Sequence, residues 1–75
     1  MAKRYDRTAS AAAQEAAYRI VRDNTHPVSP SVAEDRVLRR LVAEGFDREQ
    51  GRRALQKLLA TDAIRISGDR IRPAD

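Results

Sequence analysis

Arg48, Gln50, Arg52, Arg53 and Lys57 crowd into ten residues, and Arg65, Arg70 and Arg72 follow within the next fifteen. A guanidinium offers a rigid fork of N–H donors, an ammonium a compact charge, and a carboxamide both donors and an acceptor. Together they form a set suited to phosphate oxygens and to the edges of bases. The set holds no nucleophile or general base. His26 is the only histidine; it lies between Thr25 and Pro27 with no cysteine to share a metal, so it reads as a turn residue. The few Ser and Thr residues sit in no strained turn or Gly-rich phosphate loop, and Glu34, Asp47 and Glu49 are accounted for as helix starts, where the macrodipole favours negative charge. The expectation is a binding protein that is not an enzyme and needs no cofactor or metal.

The chain has 75 residues, enough for one domain, whose core supplies about 3 to 5 kcal/mol of net stability. Cysteine is absent, which excludes disulfide-stapled mini-proteins and zinc fingers and points to a reducing cytoplasm. No apolar run is longer than that of Ala11 to Ala13, so no membrane span is expected, and the basic N-terminus lacks the apolar segment of a secretory signal. The formal charge of +4 is uneven: residues 1–8 and 47–61 each contribute +2, and the intervening and following segments sum to zero. A localised excess is what a polyanionic partner requires, since phosphate binding depends on how many cations face one surface. Arginine supplies thirteen of the fifteen basic residues, an abundance that coding bias alone can produce, so placement carries the argument.

The elements that must position these side chains can be read from spacing. Residues 1–8 are polar and form an expected flexible basic arm whose Lys3, Arg4 and Arg7 could follow a minor groove or stay unbound. Ala13, Ala16, Ala17, Ile20 and Val21 recur at spacings of three and four, giving a first helix over about 9–23 with a small-residue stripe; Tyr18 is expected to pack. Pro27 and Pro30 break it, and Val28 between them is the candidate for a short third strand. Ser31 and Glu34 have capping-box spacing and predict a second helix over about 32–44 with Val37, Leu38, Leu41 and Val42 inward. Gly45 then ends that helix and Phe46 plugs the corner. Asp47 with Gln50 caps a third helix over about 47–60 that buries Ala54, Leu55, Leu58 and Leu59.

After Asp62 the period switches from 3.6 to 2, with Ile64, Ile66 and Ile71 on one face and Arg65, Ser67, Arg70 and Arg72 on the other, a hairpin over about 63–73. A two-residue Gly68-Asp69 turn sets Ile66 opposite Ile71 and Arg65 opposite Arg72. Two like charges facing across a ladder destabilise it unless an anion or an acidic side chain lies between them.

In its order of helices, tight turn and hairpin, and in Arg52-Arg53-Ala54-Leu55-Gln56-Lys57-Leu58-Leu59 followed by Ala63-Ile64-Arg65 and Ser67-Gly68-Asp69-Arg70-Ile71, the chain resembles the winged helix-turn-helix superfamily over residues 9–73. The resemblance implies a mainly α fold of three helices with a small β-hairpin, whose third helix enters the major groove of double-stranded DNA and whose hairpin wing meets the backbone or minor groove. By position it implies Arg48, Gln50, Arg52 and Arg53 at base edges and nearby phosphates, Lys57 on a phosphate, and Arg70 at the wing tip. Gly51 stands where such proteins usually carry an apolar residue, and a mid-helix glycine costs about 1 kcal/mol relative to alanine. Glu49 could read a cytosine amine or repel phosphate. The expected function is a transcription regulator or an accessory factor of a phage, plasmid or other mobile element, nucleoid-associated and acting by occupying its site, with a homodimer or cooperative array to enlarge a small footprint.

Two alternatives stay open from the residues themselves. The third-helix charges also suit a solvated face with Glu49 paired to Arg52 or Arg53, and the hairpin arginines also suit a charged edge strand. In the rival reading the same fold is a protein-interaction module, an adaptor or inhibitor, whose basic face meets an acidic protein surface.

Overall fold

The computed structural model describes the backbone of residues 2–74 and the side chains of residues 11–74. Three helices, α1 (Ala2–Asp23), α2 (Glu34–Ala43) and α3 (Arg48–Ala60), surround one face of a three-stranded antiparallel sheet, β1 (Val32–Ala33), β2 (Ile64–Ser67) and β3 (Arg70–Pro73). The sheet order is β1-β3-β2, so the last strand lies in the middle. The fold is thus mainly α with a small hairpin, as the sequence indicates.

The expected stripe of α1 is its buried face: Ala13 and Ala17 are fully buried, with Ala16, Ile20 and Val21 beside them. Its small side chains let α1 lie close to α3, against which it packs most extensively. The helix begins at Ala2 and not at Ala9. Residues 2–8 lack apolar periodicity, yet they also lack Gly and Pro, and Ala, Lys and Arg are good helix formers. The side chains of Lys3, Arg4 and Arg7, expected in a basic arm, lie outside the described residues. Tyr18 packs half-buried against the core, and the Arg22 guanidinium lies 5.8 Å from its ring centroid.

Beyond α1 the chain closes a small loop in which His26 and Ser29 exchange backbone hydrogen bonds of 2.8 and 2.9 Å. Val28 lies in that loop at 96% exposure and is not a strand residue. The third strand is Val32–Ala33, where Val32 pairs with Ile71 and Ala33 with Arg70. This pairing also dismantles the expected capping box at Ser31. With 32–33 extended, the N-cap is Ala33 (φ −67°, ψ 137°) and no side chain caps α2. The Glu34 amide instead donates to the Asp69 carbonyl at 2.8 Å, so a neighbouring turn supplies the acceptor that a capping side chain would offer.

At α3 the expected cap does form. The Gln50 amide donates to Asp47 Oδ1 at 2.7 Å and the Asp47 amide to Gln50 Oε1 at 2.9 Å. Helices α2 and α3 end alike. Gly45 (φ 104°) donates to Val42 while Phe46 donates to Leu41; Asp62 (φ 61°) donates to Leu59 while Ala63 donates to Leu58. Both are the paired 6→1 and 5→2 bonds of a Schellman motif, with the left-handed residue a glycine in one and an aspartate in the other. Asp62→Gly is therefore expected to raise stability by about 0.5–1 kcal/mol and Gly45→Ala to lower it by about 1 kcal/mol, as read from urea midpoints. Equal and same-signed shifts would contradict this account.

The core joins Val21, Val37, Leu38, Leu41, Leu55, Ile64 and Ile71, each essentially inaccessible. Two residues assigned inward by periodicity are not buried: Val42 is 49% and Leu59 43% exposed. Each sits one position past a buried leucine, Leu41 or Leu58, at the margin of its helix's apolar stripe. Gly51 has a packing reason. A Cβ there would lie 2.8 Å from Leu38 Cδ2 and 3.1 Å from Leu41 Cδ1, so the glycine is what lets α3 lie directly on α2.

Candidate functional site

The exposed side of α3 carries a groove lined by Arg48, Glu49, Arg52, Arg53 and Gln56. Its arginines differ in freedom. Arg48 Nη2 contacts Asp35 Oδ1 at 3.1 Å, and the other oxygen of Asp35 accepts from Arg39 Nε at 2.8 Å, so one α2 carboxylate steadies a cation from each helix. Arg53 reaches Glu49 at 3.5 Å with both side chains 75% exposed, an i,i+4 pair worth about 0.3–0.5 kcal/mol and easily exchanged. The groove-facing acid assigned by sequence to either Arg52 or Arg53 thus belongs to Arg53. Arg52 makes no ion pair or hydrogen bond among the described residues and projects into the groove one turn before Gln56.

Gln50 does not join them. It is half-buried with its carbonyl oxygen committed to the Asp47 amide, so the capping box withdraws it from the surface where base edges were expected. The same spacing that identifies the cap argues against the contact. Lys57 is exposed but lies outside the groove. Gln56, part of the basic motif but not of the expected contact set, does line the groove, since the spacing of four from Arg52 sets the two on one helical face.

A second concave surface lies on the hairpin, lined by Pro30, Ser31, Arg65, Ile66, Ser67, Arg70 and Arg72. The Gly68-Asp69 turn forms, with Gly68 at φ 64°, and the ladder pairs Arg65 with Arg72, Ile66 with Ile71 and Ser67 with Arg70. Alternation then sets Ile64 and Ile71 into the core and the three arginines outward. Arg70 directly follows the turn, at the tip position, with its side chain tied back. Its Nε donates to Ser31 Oγ at 3.0 Å and its Nη2 to the Ser31 carbonyl at 2.9 Å, which folds the side chain back across β1. Ser31, first read as a helix cap, is the anchor of a guanidinium 39 positions away.

Among the described residues no group of three or more His, Cys, Asp or Glu side chains could hold a metal ion, and no helix is long and apolar enough to cross a membrane. No protein-family model matches this chain, and neither does any curated protein or solved structure.

Proposed function

We propose that the chain is a winged helix-turn-helix DNA-binding protein, with α3 in the major groove of double-stranded DNA and the β2–β3 hairpin along the flanking backbone or minor groove. The order α1-β1-α2-α3-β2-β3, the sheet order β1-β3-β2 and the short join of residues 44–47 between α2 and α3 support the fold part of this reading. The observation that carries the function is the α3 groove: a helix held to the core along Gly51, Ala54, Leu55 and Leu58 presents Arg48, Arg52, Arg53 and Gln56 together on its free side. In this reading Arg52 and Gln56 meet base edges and Arg48, Arg53 and Lys57 meet phosphates. The protein acts as a transcription regulator or mobile-element accessory factor by occupying its site, and a homodimer doubles the bases it reads.

A protein-interaction role has one observation in its favour, the exposed Val42 and Leu59, which an adaptor would cover with an apolar partner surface. Fluorescence anisotropy of a labelled random duplex at about 50 and 200 mM salt separates the two, because phosphate contacts reveal themselves over that interval. About six contacts would cost roughly a thousandfold in affinity across it. Arg52→Ala/Arg53→Ala is expected to weaken binding at both salts and to lower the salt slope by about one to two. No binding at the lower salt, or binding indifferent to the double substitution, would sink the α3 assignment and send the search to protein partners.

A further inference from the structure

We propose that the outward face of the hairpin is a built phosphate site, in which Arg65 and Arg72 form an unpaired guanidinium clamp and Arg70, held in place by Ser31, forms the third wall. The ladder register sets Arg65 directly opposite Arg72, so their Cβ atoms are about 5 Å apart, and two cations at that spacing repel. Neither has a carboxylate partner among the described residues, and no Asp or Glu lines the groove they share. The contrast with α3 is direct, since Glu49 stands inside the arginine groove there.

Protection of a sheet edge does not account for this cluster. Edge strands carry charge to discourage pairing with other chains, but β3 is the central strand and contributes two of the three arginines. Arg70 is also fixed by a neutral partner: the Ser31 hydroxyl and carbonyl orient its guanidinium and leave its full charge in the groove. Ser31 is thus a positioning residue. Two free guanidinium forks, with the partly committed guanidinium of Arg70 on the same concavity, suit the tetrahedral oxygens of a phosphate better than a carboxylate, whose two oxygens a single fork satisfies.

The phosphate can be a diester of a nucleic-acid backbone, a form that rests on the DNA reading above, or a free phosphate group. Two arms tell these apart. In the first, inorganic phosphate is titrated into the full chain while the side-chain Nε–H signals of the arginines are followed by NMR. Arg65, Arg70 and Arg72 are expected to shift together and saturably, ahead of Arg48, Arg52 and Arg53, and Ser31→Ala, which removes the hydroxyl but keeps the carbonyl, to weaken the Arg70 response. In the second, duplex anisotropy is repeated with Arg65→Ala/Arg72→Ala, and the salt slope is expected to fall by about 2, one for each cation removed. Arg65→Lys/Arg72→Lys keeps the charge but not the fork, and is expected to restore the slope while the Nε–H of Arg70, the one arginine left in the site, shifts far less with phosphate.

A phosphate response with an unchanged slope assigns the site to free phosphate. A phosphate response in a chain that binds no duplex leaves the site standing and sinks the DNA reading. Absence of both the shifts and the slope change overturns the proposal, even where the duplex still binds through α3.

Discussion

Ile71→Ala is expected to remove about 3 kcal/mol of stability, most of what a chain of this size holds, and to leave little folded protein at 37 °C. The side chain is fully buried at the middle of the central strand, paired with Val32 on one side and Ile66 on the other. Its removal deletes buried carbons and opens a cavity where three elements converge, because β3 also packs on α1. The neighbours cannot close that space cheaply: Val32 is tethered in a two-residue strand, and Ile64 is already packed from the helices. The check is a urea titration followed by circular dichroism, with amide exchange of β1 and β2 as the second readout. Loss of protection in both strands together with a lower midpoint is the expected result. A change under about 1 kcal/mol would mean that the helices hold the fold without the sheet.

Gly51→Leu is expected to be comparably damaging, at about 3 kcal/mol, for the opposite physical reason. At Ile71 the fault is a void; at Gly51 it is excess volume. Even a methyl group at Gly51 would stand 2.8 Å from Leu38 Cδ2, and Leu38 is 1% exposed at the centre of the core. A leucine must push α3 off α2 or force strained rotamers on Leu38 and Leu41. Gly51→Ala separates the contributions, since alanine gains about 1 kcal/mol of helix propensity and meets only part of the clash. The smaller substitution is expected to be mildly destabilising, by about 1 kcal/mol, and Gly51→Ala with Leu38→Val is expected to recover part of that loss. If Gly51→Leu melted like the parent, the close approach of α2 and α3 would have no energetic weight. The same pair of helices orients the α3 groove through the Arg48–Asp35 contact, so loosening them should also disturb the arginine face.

Some of the site was legible because its causes are local. A two-residue Gly68-Asp69 turn leaves one register, and with it the facing of Arg65 and Arg72. Asp47 and Gln50 are three apart, the separation at which two side chains can satisfy each other's backbone amides. Gly45 marks a left-handed exit that other side chains resist. The winged-helix reading is a resemblance from which DNA binding is proposed, and the duplex titrations test that binding.

Other features required the folded neighbours. Ser31 had the right spacing for a cap, and what moved it to Arg70 was a strand pairing with residues nearly forty positions later. Val42 and Leu59 obey the helical period and remain half-exposed beside the buried Leu41 and Leu58, because a period identifies a face and not how far round the helix the neighbours pack. Gly51 looks like a flaw in a helix until Leu38 and Leu41 are found where its side chain would have been. By itself the sequence determined the helices α2 and α3, the hairpin, its register and the alternation of isoleucine and arginine, all consequences of chain geometry over a few residues. Tertiary structure decided which cations are pinned and which are free, because an ion pair or a hydrogen bond between Asp35 and Arg48, or between Ser31 and Arg70, exists only where packing brings distant side chains within about 3 Å.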